Sequence, residues 1–67
     1  MTKYYYRVSS RDRIGNRTEM FFIDEAQNKT QIRNYNKKMG LKVEAIYTEE
    51  ELATLPERSQ ELYRRGY

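Results

Sequence analysis

Residues 4–23, YYYRVSSRDRIGNRTEMFFI, decide the fold of this 67-residue chain. The opening run of tyrosine, arginine and valine is aromatic and β-branched without helical periodicity, which predicts a strand at about 4–9. Gly15 and Asn16 are residue types that tolerate positive φ, so they predict a turn. The apolar run that follows predicts a second strand at about 18–23, and the whole stretch predicts a β-hairpin.

The segment after the hairpin predicts a helix over about 25–39. Its apolar positions recur three and four residues apart, as one face of a helix requires: Ile32, Tyr35 and Met39. Asp24 and Asn28 are both suitable N-caps, and the sequence does not separate them. Gly40 supplies a C-terminal stop.

A third strand is predicted at about 41–47, because apolar and charged residues alternate there. The apolar positions are Leu41, Val43 and Ala45, and the charged ones are Lys42 and Glu44. This period of two predicts that the three apolar side chains share one buried face.

The tail contains two capping-box patterns, in which a hydroxyl at the N-cap precedes a carboxylate at N3. They are Thr48 with Glu51 and Thr54 with Glu57. Two short helices are therefore predicted, at about 49–53 and about 55–65. The acidic run 49–51 falls in a first helical turn, where the macrodipole favours negative charge, so capping explains it without a metal or catalytic role.

These elements predict a single α+β domain over residues 1–67, with the order ββαβ followed by short C-terminal helices. A right-handed crossover through the first helix sets the third strand beside the first, antiparallel to it. The expected fold is a three-stranded antiparallel sheet, order 2-1-3, packed on one helix.

The composition argues against several classes of protein. The chain has no cysteine and no histidine, which removes disulfides, the usual zinc ligands and two common catalytic side chains, and leaves only Ser, Thr, Lys, Tyr and carboxylates for a nucleophile and base. It shows no phosphate-binding or dinucleotide-binding glycine motif, no long apolar run and no signal sequence. We therefore expect a cytoplasmic, non-catalytic binding protein with no cofactor, no metal and no membrane association.

One face of the predicted sheet is the first candidate binding surface. A single helix covers only one face, and the opposite face carries large apolar side chains. The residues expected to bind a partner protein there are Tyr5, Arg7, Phe21 and Ile23. Alternatively, the C-terminal helices fold back and cover this face with Leu52, Leu55 and Leu62. An exposed apolar face of this size would indicate a partner or a homodimer.

Basic side chains form the second candidate surface. Residues 1–40 hold nine basic and four acidic side chains, although the whole chain carries only +3. The hairpin tip and one row of the helix could bind nucleic-acid phosphates through Arg11, Arg13, Arg17, Lys29, Arg33 and Lys37. The alternative is a solvated turn and a solvated helix face.

Three functional hypotheses follow. In size and composition the chain is similar in general style to small accessory proteins of phages and mobile elements, some of which block host enzymes. That similarity implies an accessory or inhibitory protein that docks on a partner protein. The alternatives are a nucleic-acid-binding protein and a structural subunit of an oligomer.

Overall fold

A computed structural model describes residues 1–65 and gives a three-stranded antiparallel sheet with helices packed on both faces. The predicted α+β fold and the strand order 2-1-3 are confirmed. In chain order the elements are β1 (Thr2–Arg11), β2 (Arg17–Ala26), α1 (Lys29–Lys38), β3 (Lys42–Thr48), α2 (Glu49–Leu52) and α3 (Glu57–Arg65).

β1 and β2 form a regular antiparallel hairpin in which each strand has ten residues. The pairing runs from Thr2 opposite Ala26 to Arg11 opposite Arg17. Both strands are longer than the sequence predicts. Asp12 fixes the connecting loop, since its carboxylate accepts hydrogen bonds from the backbone N–H groups of Ile14 and Asn16 at 3.0 and 2.9 Å.

The central strand β1 supplies side chains to two separate cores, one on each face of the sheet. The first core lies under α1, and its buried members are Tyr4, Tyr6, Val8, Ala26, Ile32 and Ile46. The second core lies under α2 and α3, and its buried members are Tyr5, Leu52 and Tyr63. A strand that is buried on both faces reads as a continuous apolar run, which explains the three consecutive tyrosines.

A β-bulge in β3 overturns the predicted alternation of apolar residues there. Ala45 pairs with Arg7 and Val43 pairs with Val8, so Glu44 is the extra residue. Val43 consequently packs on the first core and Ala45 on the second. The predicted shared face of Leu41, Val43 and Ala45 is therefore wrong, because period two fails wherever a strand carries a bulge.

α1 begins later than predicted. Residues 25 and 26 continue β2, and Asn28 is the N-cap, with its side chain accepting a hydrogen bond from the Gln31 N–H at 2.9 Å. Residues 25 and 26 pair with Lys3 and Thr2 of β1, and this pairing keeps them in the strand although the local apolar spacing favours a helix. At the other end Gly40 has φ +79°, and the Gly40 and Leu41 N–H groups donate to the carbonyls of residues 37 and 36 in a Schellman motif.

α2 and α3 cover the sheet face opposite α1. Leu52 is fully buried, and Tyr63 makes edge-to-face contacts with Phe21 and Tyr47 at centroid distances of 5.1 and 5.2 Å. Leu62, predicted to take part, is 43% exposed. Tyr63 occupies that position because its ring fits between two aromatic side chains of the sheet.

The first capping box forms and the second does not. At the start of α2, Thr48 Oγ1 accepts from the Glu51 N–H and the Glu51 carboxylate accepts from the Thr48 N–H. Thr54 instead donates its hydroxyl to the Glu51 carbonyl at 2.6 Å. α3 starts directly after Pro56, whose carbonyl accepts from the Gln60 N–H.

Candidate functional site

A basic cleft lies where the hairpin, the end of α1 and the start of β3 meet. It encloses about 520 Å³. We call it the basic cleft, and its lining residues are Ser9, Ser10, Arg11, Arg17, Lys37, Gly40, Leu41, Lys42 and Glu44. The fold thus brings three of the six predicted basic residues together and adds Lys42.

The charge balance distinguishes this cleft from the rest of the surface. Its lining contains four cationic side chains and one carboxylate, a net charge of +3, which equals the formal charge of the entire chain. All other charged side chains therefore cancel in sum. Lys37 lies in the last turn of α1, where a cation also offsets the negative end of the helix dipole.

Glu44 organises the wall of the cleft. Its Oε1 atom accepts a hydrogen bond from the Ser9 hydroxyl at 2.7 Å and lies 3.0 Å from Arg17 Nη2. This carboxylate therefore joins β1, β2 and β3. Glu44 is the extra residue of the bulge, between Val43 on the first core and Ala45 on the second.

The surroundings of Glu44 keep it ionised. The Ser9 hydrogen bond, followed by the charges of Lys42 and Arg17, holds the pKa of the Glu44 carboxyl below its usual value. The carboxylate partly neutralises the cleft and fixes the Arg17 guanidinium against the wall. Arg11, Lys37 and Lys42 supply the remaining positive charge around the opening.

The other predicted basic residues lie in different places. Arg33 lines a smaller depression of about 290 Å³ that adjoins the cleft and shares Lys37 and Lys42 with it. Arg13 is exposed on the hairpin loop, beyond the cleft. Lys29 lies at the opposite end of α1 and is paired with Glu51 at 2.8 Å.

The predicted protein-binding residues lie beneath the C-terminal helices. Tyr5 is 4% exposed, and Phe21 and Ile23 pack beside it in the second core. Arg7 is partly exposed and contacts Glu19, with Nε to Oε2 at 3.2 Å. Their role in partner binding stays a prediction, and contact with Tyr5 would require α2 and α3 to leave the sheet.

A second exposed feature lies on the α1 side of β2. Tyr35 and Met39 are 60% and 59% exposed, and both border a small depression of about 160 Å³ that reaches Phe22. Met20 and Phe22 are only half-buried. The sequence predicted Ile32, Tyr35 and Met39 as one apolar stripe, and α1 buries Ile32 together with Asn36 while Tyr35 and Met39 stay exposed.

Sequence reasoning missed Lys42, Ser9, Ser10 and Glu44 as cleft residues. Lys42 and Glu44 follow an alternating strand pattern that gave no reason to group them with hairpin arginines. A detectable signal was the antiparallel pairing itself, because order 2-1-3 brings the start of β3 to the hairpin end of the sheet.

Within residues 1–65, no group of three or more acidic side chains is arranged to hold a metal ion. No helix in that part of the chain is long and apolar enough to cross a membrane. Comparison with protein-family models, with curated proteins and with solved structures finds no match to this chain.

Proposed function

We propose that this protein binds nucleic acid through the phosphate backbone, with the basic cleft as its contact surface and without catalysis. The observation that supports the proposal is the concentration of the chain's entire net charge in one cleft. Phosphate contacts made by arginine and lysine supply most of the affinity in sequence-independent binding.

The lining chemistry suits phosphate groups. Arg11 offers a planar, multiply donating cation, Lys37 and Lys42 offer point charges, and the Ser10 hydroxyl can donate a hydrogen bond. The lining contains no aromatic side chain on which a base could stack. Binding is therefore proposed to depend on charge and backbone spacing instead of base identity.

This proposal replaces docking through the sheet face as the leading hypothesis. The second core occupies that face in the described chain. An accessory or inhibitory role in which the protein occludes a nucleic acid remains compatible with the basic cleft.

The test is fluorescence anisotropy with labelled single-stranded and duplex oligonucleotides across a salt series. Contact with about three phosphates gives a slope of log K against log salt of about −2 to −3. The double variant Arg11→Gln with Lys42→Gln should weaken binding about tenfold and make the slope shallower. Arg11 and Lys42 belong to neither buried core.

A matched control is Arg58→Gln together with Arg65→Gln, which removes the same charge from α3. If the proposal is right, the control binds within about threefold of the unaltered protein. Equal losses in the two double variants would show that net charge alone matters. Absence of binding at low salt would overturn the proposal.

A further inference from the structure

The two edges of the sheet are protected to different degrees. β3, one edge, has seven residues, a bulge and charged side chains at 42 and 44. β2, the other edge, has ten residues, pairs with β1 without a bulge, and contains no proline and no lysine. Natural sheets use those devices to prevent edge-to-edge pairing. β2 lacks the bulge, and its charged side chains lie toward its two ends, outside residues 20–23.

The outer side of β2 also lacks a covering segment. Across residues 1–65, the turn, loop and cap hydrogen bonds of the backbone do not include residues 17–26. The middle of the strand, Met20 to Ile23, consists of four consecutive apolar residues, and all four are only half-buried. Tyr35 and Met39 extend this apolar surface on the α1 side.

The charges along β2 make the strand complementary to itself. Arg17 begins it, and Asp24 and Glu25 lie near its end. When two copies run antiparallel with Phe21 opposite Phe21, the backbone of Arg17 in each copy lies opposite Glu25 of the other. In the dimer the Arg17 guanidinium exchanges Glu44, 3.0 Å away in the single chain, for this second carboxylate. The same register sets Met20 opposite Phe22, so apolar side chains meet on one face.

Neighbouring registers are less favourable. Centring the pair on Phe22 brings Glu19 opposite Glu25, a direct like-charge contact on both sides of the axis. Centring it on Met20 leaves Asp24 and Glu25 opposite residues 16 and 15, outside the partner strand. Only the Phe21-centred register combines opposite charges with the full apolar overlap.

We propose that a second copy of this chain pairs with β2, antiparallel and centred on Phe21, to form a two-fold symmetric dimer with a continuous six-stranded sheet. The surface is isologous, since each copy presents the same strand. Met20 and Phe22 of each copy, with the neighbouring Tyr35 and Met39, then cover one another. This assembly does not rest on the nucleic-acid proposal, although Arg17 also lines the basic cleft.

The mass in solution gives the first measurement. Sedimentation equilibrium over a dilution series from about 1 μM to about 1 mM should show a mass that rises from 8.2 kDa toward twice that value. A constant monomer mass over the whole series would overturn the proposal. A constant monomer mass would also be the result if β2 pairs with an extended peptide of another protein and not with a second copy.

Cysteine cross-linking tests the register, and the chain contains no native cysteine to confuse it. Arg17→Cys and Glu25→Cys are prepared as separate proteins, both at exposed positions. Under mild oxidation a mixture should form the mixed disulfide, because opposed residues lie about 4.5–5.5 Å apart at Cα. Each protein alone should stay uncross-linked, because the single cysteines of the two copies are then eight residues apart along the paired strands, about 26 Å.

A charge swap separates the proposed contact from a general charge effect. Glu25→Arg should raise the dimer dissociation constant at least about tenfold, since two favourable contacts become repulsive. Adding Arg17→Glu should restore it to within about threefold, whereas Glu61→Arg on α3 should leave it unchanged. Two results would show that another surface joins the copies. One is a dissociation constant that neither Glu25→Arg nor Arg17→Glu changes, and the other is disulfides that form only between copies of the same cysteine variant.

Discussion

The two faces of the sheet are covered by different means. α1 has ten residues and buries Ile32 and Asn36 on the first core, yet it leaves Tyr35 and Met39 exposed above β2. On the other face, helices of four and nine residues bury Leu52 completely and Tyr63 almost completely. The first core nevertheless has six buried residues and the second has three, so the two faces differ in which helix residues stay exposed and not in how well the sheet is covered. A few well-placed anchor residues on short helices can thus cover a sheet face that the longer α1 leaves free.

The largest predicted effect tests the anchor on the second core. Leu52→Ala should lower the free energy of unfolding by about 3 kcal/mol, since it removes a fully buried side chain from a core that α2 and α3 can refill only in part. Urea denaturation measures the change.

Leu62→Ala is the matched control, because the same substitution is made at a position that is 43% exposed. Its cost should stay below about 1 kcal/mol. Equal costs for the two variants would mean that the helices pack on the sheet in a different orientation. Hydrogen exchange would then show which residues α3 protects.

The second effect concerns the first core. The Tyr6 hydroxyl donates to the Asp24 carboxylate, so Tyr6→Phe should lower the free energy of unfolding by about 1.5 kcal/mol at neutral pH. Denaturant unfolding measures the loss, and Tyr35→Phe on the exposed side of α1 should change stability by less than about 0.5 kcal/mol.

Tyr6 also predicts an alkaline transition. Burial raises the pKa of Tyr6 to about 12, whereas a tyrosine in the unfolded chain titrates near about 10. Its contribution is therefore complete below about pH 10 and is lost as the pH rises through about 12. Tyr6→Phe should make the free energy of unfolding depend less steeply on pH in this alkaline range. Part of the dependence should remain, because burial also raises the pKa of Tyr63. An unchanged slope would contradict the burial of Tyr6.

A third, smaller effect tests how the second face is closed. Thr48→Ala removes the capping box of α2 and should cost about 1 kcal/mol, because the Glu51 N–H loses its partner. Thr48→Ser keeps the hydroxyl and should cost less. Thermal unfolding compares them, and equal costs would show that the methyl group of Thr48 matters instead of the cap.

The smallest effect on stability concerns Glu44. Its lowered pKa means that its contribution is present above the pKa of an unfolded glutamate and is lost as the pH falls through the lower folded value. Glu44→Gln should therefore flatten the acid limb slightly. It should also tighten oligonucleotide binding about threefold, since the cleft gains one net positive charge. Weaker binding would assign Glu44 a positioning role for Arg17.

The sequence predicted the order of elements well because hairpin, helix stop and strand signals are local. Gly15 and Gly40, which have φ values of +87° and +79°, mark the two places where the chain needs a left-handed conformation. The start of α1 and the choice of Tyr63 over Leu62 depended on tertiary contacts with β1 and with aromatic rings, which a local pattern does not contain.

The candidate site was predictable only in part for the same reason. Arg11 and Arg17 are close in sequence across the hairpin, and the basic row on α1 identified Lys37. Lys42 and Glu44 join them through the antiparallel pairing of β1 with β3, and the bulge leaves Glu44 without a partner residue on β1. A bulge depends on the partner strand as much as on its own residues.

The bulge at Glu44 also has a consequence for how this chain can change in evolution. A β3 without Glu44 would still align Val43 with Val8 and Ala45 with Arg7, so the inward and outward faces of the strand would be kept. Deletion of residue 44 is thus the one-residue deletion in β3 that should disturb the strand pairing least. Relatives with that deletion would lose the carboxylate that restrains Arg17 and would carry a more strongly positive cleft.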